Sequence, residues 1–170
     1  MADSLAFRTT FGSLADYRRG DIEVINDDAR NYTFSNVFDV AARSAPYEKV
    51  VVGKNLEYVI EALRAEGRSV WFTAAHDEFA LAMDGRIEID LVKLEGPDMA
   101  VAKGTQGSIA LDHEPTGRRM GSIRMTRGHQ ALLPAGAAYR FTAVDGPGVL
   151  IMQTIMGRHS VEKWAEICLT

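Results

Sequence analysis

Cysteine is nearly absent: Cys168 is the only one in 170 residues. No internal disulfide can form, which suits a reducing cytoplasm. Basic charge is also in short supply. Nineteen Lys and Arg face 23 Asp and Glu, for a net charge of −4, which is not the basic footprint that nucleic acid or an anionic membrane attracts. No run approaches the roughly 18–20 apolar residues of a membrane span. The opening MADSLAFRTTFGSL has neither the basic start nor the continuous apolar stretch of a signal peptide. Phosphate loops, nucleophile elbows and CxxC pairs are missing as well. The expectation is a cytoplasmic protein with neither nucleic acid nor membrane among its partners.

What is present fits one domain with appended elements. Apolar residues make up 46% and charged residues 25%, ordinary values for a globular chain long enough to bury a core. Residues 1–47 read as an N-terminal arm with a short helix, and 48–170 as the main domain with flanking helices. In the arm, Ser35 is placed to cap a helix carrying Val37, Phe38, Val40 and Ala41, which ends at Ala45-Pro46. Tyr17, Tyr32, Phe34 and Phe38 favour an arm laid on another chain over a disordered tail, which is usually poor in aromatics. Leu56, Val59, Ile60 and Leu63, followed by Gly67, predict a helix over 54–66. Ser160, Val161, Trp164, Ala165 and Cys168 predict a short terminal helix, with Cys168 as plain apolar packing.

From Ser69 the period becomes that of strands. Eight are predicted, at 70–75, 78–84, 86–94, 107–111, 119–126, 129–133, 138–144 and 148–156, with glycine-containing turns between most of them. Eight short strands without intervening helices indicate a double-sheet barrel or sandwich. Ile87, Ile89 and Leu91 alternate with Arg86, Glu88 and Asp90, so that strand has one wet side. In EFALAM and GVLIMQTIM both faces are apolar. Strands of that kind must be covered on both sides, which argues for an oligomer.

Glu78 stands seven residues before Gly85 in HDEFALAMDG, and Gly128, Pro134 and Gly136 punctuate GHQALLPAGAAYRFTA. These spacings resemble the two cupin signatures, G-x5-H-x-H-x3-4-E-x6-G and G-x5-P-x-G-x2-H-x3-N. The resemblance implies a mainly β, cupin-type double-stranded β-helix (a jelly-roll barrel), here with an N-terminal helical arm and a short C-terminal helix. A cupin metal centre needs three imidazoles beside its carboxylate. Its histidine positions fall here on Trp71 and Thr73, or on Phe72 and Ala74, and the third on Tyr139. Glu78 alone survives, so no metal ligand set and no catalytic residue is assigned to the chain. Trp71 and Tyr139 are expected to fill the vacated volume, Tyr139 as core packing, Trp71 either as packing or as a wall for an aromatic ligand.

A rival reading also follows from the residues. His76, Glu78, His129 and Arg140-Phe141-Thr142 resemble the H-x-[DE]…H…R-x-[ST] pattern of 2-oxoglutarate-dependent oxygenases. On that reading the chain is a self-contained non-haem Fe(II) oxygenase; a third reading is a stand-alone small-ligand-binding cupin. His113 reads as a solvated turn residue, and His159 as support for the start of the last helix.

The segments NLEYVIEALRAEG, SVWFTAAHDEFALAMDGRIEIDLVKL and GSIRMTRGHQALLPAGAAYRF make the chain similar to the small subunit of two-component hydroquinone 1,2-dioxygenase. That family cleaves the ring of hydroquinone, an aromatic quinol, in aromatic-compound degradation, and its larger cupin subunit carries the Fe(II). The resemblance implies a non-metal subunit of a heterotetramer. Its partner would be the larger iron-bearing cupin subunit, and it would itself shape one wall of the substrate pocket. Trp71 is the expected substrate contact and His76 the second.

Overall fold

The computed structural model describes residues 36–99 and 106–163. The aromatics Tyr17, Tyr32 and Phe34, the expected cap Ser35, and Trp164, Ala165 and Cys168 of the expected last helix lie outside the described residues.

A short helix α1 (Val37–Arg43) opens the described chain. Its cap is Asn36, whose side chain accepts the N–H groups of Phe38 and Asp39 and so satisfies donors the first turn cannot pair internally. Eleven strands follow: β1 (Lys49–Asn55), β2 (Tyr58–Ala65), β3 (Trp71–Ala74), β4 (Glu78–Asp84), β5 (Ile87–Leu94), β6 (Ser108–Leu111), β7 (Gly117–Met125), β8 (Gln130–Leu133), β9 (Ala137–Ala143), β10 (Gly148–Ile155) and β11 (Ser160–Val161). They form two sheets, ordered β11-β1-β2-β10-β4-β8 and β6-β3-β9-β5-β7. The inner faces close on one core containing Leu63, Phe72, Ile89, Tyr139, Phe141, Leu150 and Met152. This is the mainly β, double-sheet architecture expected from the strand pattern, and the cupin-type barrel that the signature spacings imply. All eight strands predicted from Ser69 onward are present, and β5 turns Glu88 and Asp90 outward and Ile87, Ile89 and Leu91 inward.

The helix predicted over 54–66 is instead a hairpin. Asn55 pairs with Tyr58 across a turn of Leu56 and Glu57, and the pairing continues from Lys54↔Val59 to Val50↔Ala62. Leu56 adopts φ 56, the left-handed conformation such a tight turn demands and which glycine or asparagine ordinarily supplies. With leucine there, the turn carried no sequence signal. The apolar spacing serves a strand equally well: Val59 and Leu63 are buried, while Ile60 points outward. The outer face of β1 and β2 is closed by α1, where Val37 and Val40 pack on Val50, Val52 and Ala62.

The predicted start of the last helix is also corrected. Ser160 belongs to β11, which pairs in parallel with β1.

The motif glycine Gly85 is explained by backbone geometry. It adopts φ 80, and a Cβ there would lie 2.7 Å from the Cα of Gly148. Only a residue without a side chain lets the β4–β5 turn pass so close to the start of β10.

Beyond α1, the outer face of the larger sheet is bare among the described residues. Ile60, Gln153, Phe79 and Leu132 stand in one row across β2, β10, β4 and β8. The three apolar members are 45–47% exposed.

Candidate functional site

The alternation of β3 decides between the two possible ligand registers. Phe72 faces the core, where its ring lies 5.9 Å from that of Tyr139. Trp71 faces the opposite side and packs with Leu94, Leu111 and Ala138. A one-residue step reverses every side chain of a strand, so the metal positions of a cupin fall on Phe72 and Ala74, with Tyr139 as the third. The expectation that Trp71 fills the vacated interior is therefore corrected: Phe72 and Tyr139 do so.

Glu78, the surviving acid of the motif, is fully buried at the start of β4. It is an acceptor for three hydroxyls. Ser108 and Thr154 each donate to its Oε1 at 2.6 Å, and Tyr139 donates to Oε2 at 2.6 Å. The cation opposite is Lys49, from β1, with 2% exposure. Its Nζ donates to Ser108 Oγ at 2.6 Å and to Tyr139 Oη at 3.4 Å. It also lies 4.7 Å from the Phe72 ring centroid. Two hydroxyls therefore each accept from the ammonium and donate to the carboxylate, linking the opposite charges within the buried core. An isolated charge there would be prohibitively costly; a fully hydrogen-bonded pair is not.

A second carboxylate tightens the balance. Glu61 accepts from Ser160 Oγ at 2.5 Å, and its other oxygen stands 3.9 Å from Lys49 Nζ with no hydrogen-bond partner. Burial pushes the Glu61 pKa up, against the pull of Lys49 and the Ser160 bond. Tyr139 is held well above the ordinary phenol value, first by burial and then by the negative Glu78, so it stays a donor.

These donors do not suit a metal. At the would-be ligand positions stand a phenyl ring, a methyl group and a phenol that already donates to Glu78, with an ammonium beside them. Among the described residues, no three His, Cys, Asp or Glu side chains come together as a metal site.

The rival triad is not assembled. His76 Nε2 lies 2.9 Å from Thr154 Oγ1 and accepts the N–H of Ile155 at 3.2 Å. His76 thus reaches Glu78 only through the Thr154 hydroxyl. His129 is exposed and bonded within its own turn to Thr126. Its carbonyl pairs with the N–H of Ala82, four residues along β4 from Glu78, or about 13 Å at strand rise. Arg140 lies on the outer face, 4.2 Å over the Trp71 ring. Its guanidinium and the Trp71 indole N–H both bond to Glu114, at 2.8 Å each. No recorded contact joins Trp71 to His76.

Of two further histidines, His113 is the exposed turn residue expected, while His159 departs from expectation. His113 ties Asp112 and the buried Asp98 together, and its pKa is raised by those bonds. His159 accepts the Ala110 N–H and meets Phe72 edge-on, and burial, followed by Arg158 and Lys49, lowers its pKa. Lys49 and Glu61 were missed by sequence reasoning. For Glu61 the available signal was a charge inside the apolar run YVIEAL; Lys49, at the head of KVVV, gave none.

Lys49→Met strands two buried carboxylates without a cation and costs about 3–5 kcal/mol, read as a lower urea midpoint. Glu61→Gln tests the pH linkage. Because the folded-state pKa of Glu61 is raised, its stability contribution is full below the ordinary carboxylate range and is lost as pH rises through the raised value. The variant cannot ionise there. As pH rises from the ordinary carboxylate range, melting temperatures of wild type should fall progressively relative to Glu61→Gln; parallel curves would refute this assignment.

No protein-family model matches the chain, and no curated protein matches it. Solved structures do. The chain is 54% identical to a chain of hydroquinone 1,2-dioxygenase PnpCD, crystallised with Cd2+ and 4-hydroxybenzonitrile, over 98% of its own length and 99% of that chain, with TM-score 0.76. It is 57% identical to a chain of hydroquinone 1,2-dioxygenase from Sphingomonas sp. TTNP3, crystallised with 4-hydroxybenzoate bound, over 95% of its own length and 97% of that chain, with TM-score 0.77. A longer chain of PnpCD, in a complex with Fe3+, shares the fold at 15% identity and TM-score 0.55, this chain covering 38% of it. Aligned from end to end with the shorter of these two kinds of chain, the protein belongs to the hydroquinone 1,2-dioxygenase family.

Proposed function

We propose that the chain is the iron-free small subunit of a heteromeric, Fe(II)-dependent hydroquinone 1,2-dioxygenase that opens the ring of quinols in aromatic degradation. The observation that carries this reading is the barrel interior: Phe72, Ala74 and Tyr139 stand at the ligand positions, and the Lys49 ammonium is linked to Glu78 through hydroxyls. Ring-opening chemistry therefore belongs to the longer cupin chain, and no step of it passes through this barrel.

The chain's part is to support that partner and to form one wall of its pocket. The bare row of Ile60, Phe79 and Leu132 supports docking there of the partner's cupin domain, since covering it removes apolar area from water at roughly 25 cal/mol per Å2. The arm over 1–47 would add to the same contact, and the assembly would be a cytoplasmic heterotetramer. Among the described residues, no helix is long and apolar enough to cross a membrane. Trp71 is our first candidate for contact with the aromatic substrate and His76 the second. Trp71, which is buried, meets a ring only where Arg140 moves off its face and Glu114 off its indole N–H.

The test is reconstitution. The chain purified alone should hold no stoichiometric iron and open no quinol ring until the longer chain is added; an active, iron-loaded single chain refutes the proposal. Trp71→Ala should change KM or kcat of the reconstituted enzyme, and unchanged values remove Trp71 from the pocket. Phe79→Asp should abolish co-purification with the longer chain while the melting temperature of the variant alone stays near wild type.

A further inference from the structure

The two sheets part at one end, between β11 and β1 of the larger sheet and β6 and β3 of the smaller. A half-open cavity of about 550 Å3 fills that gap, lined among others by Lys49, Arg68, Val70, Phe72, Ala110, Arg158 and His159. That volume lies within the range of small-molecule sites. It is separate from the Trp71 and His76 positions and from the row of Phe79.

We propose that this cavity binds a small aromatic carboxylate, its charged end on Arg158 and Arg68 and its ring against the apolar wall beside Phe72. The charge balance of the lining carries the first half. Arg158 uses its Nε on His159, at 3.3 Å, and has no carboxylate partner among the described residues. Arg68 has only a loose contact, 3.8 Å from Asp90, with its side chain 60% exposed. Lys49, also in the lining, is already answered in the core by Glu78 and Glu61 and adds no free charge. The one acid of the lining, Glu48, is taken up by Lys163 at 2.8 Å. Among the described residues the lining is therefore left with Arg158 unanswered by a carboxylate and Arg68 only loosely answered. Burial, followed by Arg158 and Lys49, disfavours protonation of His159.

The apolar wall carries the second half. Val70, Ala110 and Val161 line the cavity around the Phe72 edge, a surface that favours a flat hydrocarbon body over a hydrated inorganic ion. A guanidinium fork matches a carboxylate with two parallel N–H donors. One end of the cavity thus selects the charge and the other the ring.

Benzoate is the probe. It is titrated calorimetrically into the full-length chain with EDTA present, so that iron plays no part and the outcome is independent of the proposed subunit role. One equivalent should bind, Arg158→Gln should weaken it by about tenfold or more, and Arg124→Gln, distant on β7, should bind as wild type does. Benzamide, equal in shape but uncharged, should not compete. The proposal is overturned if benzoate gives no binding, if benzamide or acetate binds equally well, or if Arg158→Gln retains wild-type affinity with an unchanged melting temperature.

Discussion

The Lys49 ammonium, tied through Ser108 and Tyr139 to Glu78, is the constraint around which the barrel is organised. A β-barrel of this width must fill its middle, and a lone buried carboxylate there would be far too costly. Here the cation is covalently part of the chain. It comes from β1, the hydroxyls from β6, β9 and β10, and the acid from β4. The network therefore spans both sheets and fixes their relative position.

That arrangement explains what the side chains nearby can do. Hydroxyls that accept from an ammonium and donate to a carboxylate have their proton directions set, so Tyr139 is held as a donor and Thr154 must divide one proton between Glu78 and His76. Glu61 is the member the network satisfies least, with one oxygen unbonded near Lys49, and it is the one whose charge burial opposes. The outward-facing residues follow a different logic. Trp71 is clasped by Arg140 and Glu114 on the far side of β3, so the two aromatics adjacent in sequence, Trp71 and Phe72, belong to separate clusters.

Much of this was legible in the residues. Alternation over 86–91 and the glycine punctuation after Ser69 marked the strands, and the spacing of Glu78, Gly85, Gly128, Pro134 and Gly136 marked the barrel. The hairpin of β1 and β2 was not legible, because Leu56 takes a left-handed turn position normally held by glycine or asparagine, and because Val59, Ile60 and Leu63 satisfy a helical period by coincidence. That misreading also hid Glu61, which a helix would place on its wet side. The choice between Trp71 and Phe72 as the inward residue was undecidable in a four-residue strand whose members are all buried; only pairing with β9 and β6 settles it. Lys49 was invisible as a core residue because lysine at the head of a strand ordinarily reaches water.

The internal ammonium sets itself against any cation that would enter this barrel. A histidine restored at position 72 or 74 would meet a fixed positive charge, and a divalent ion arriving later would meet it again. Removing the lysine beforehand leaves acids stranded in the core. Recovering a coordination sphere therefore demands several concerted exchanges, each harmful in isolation.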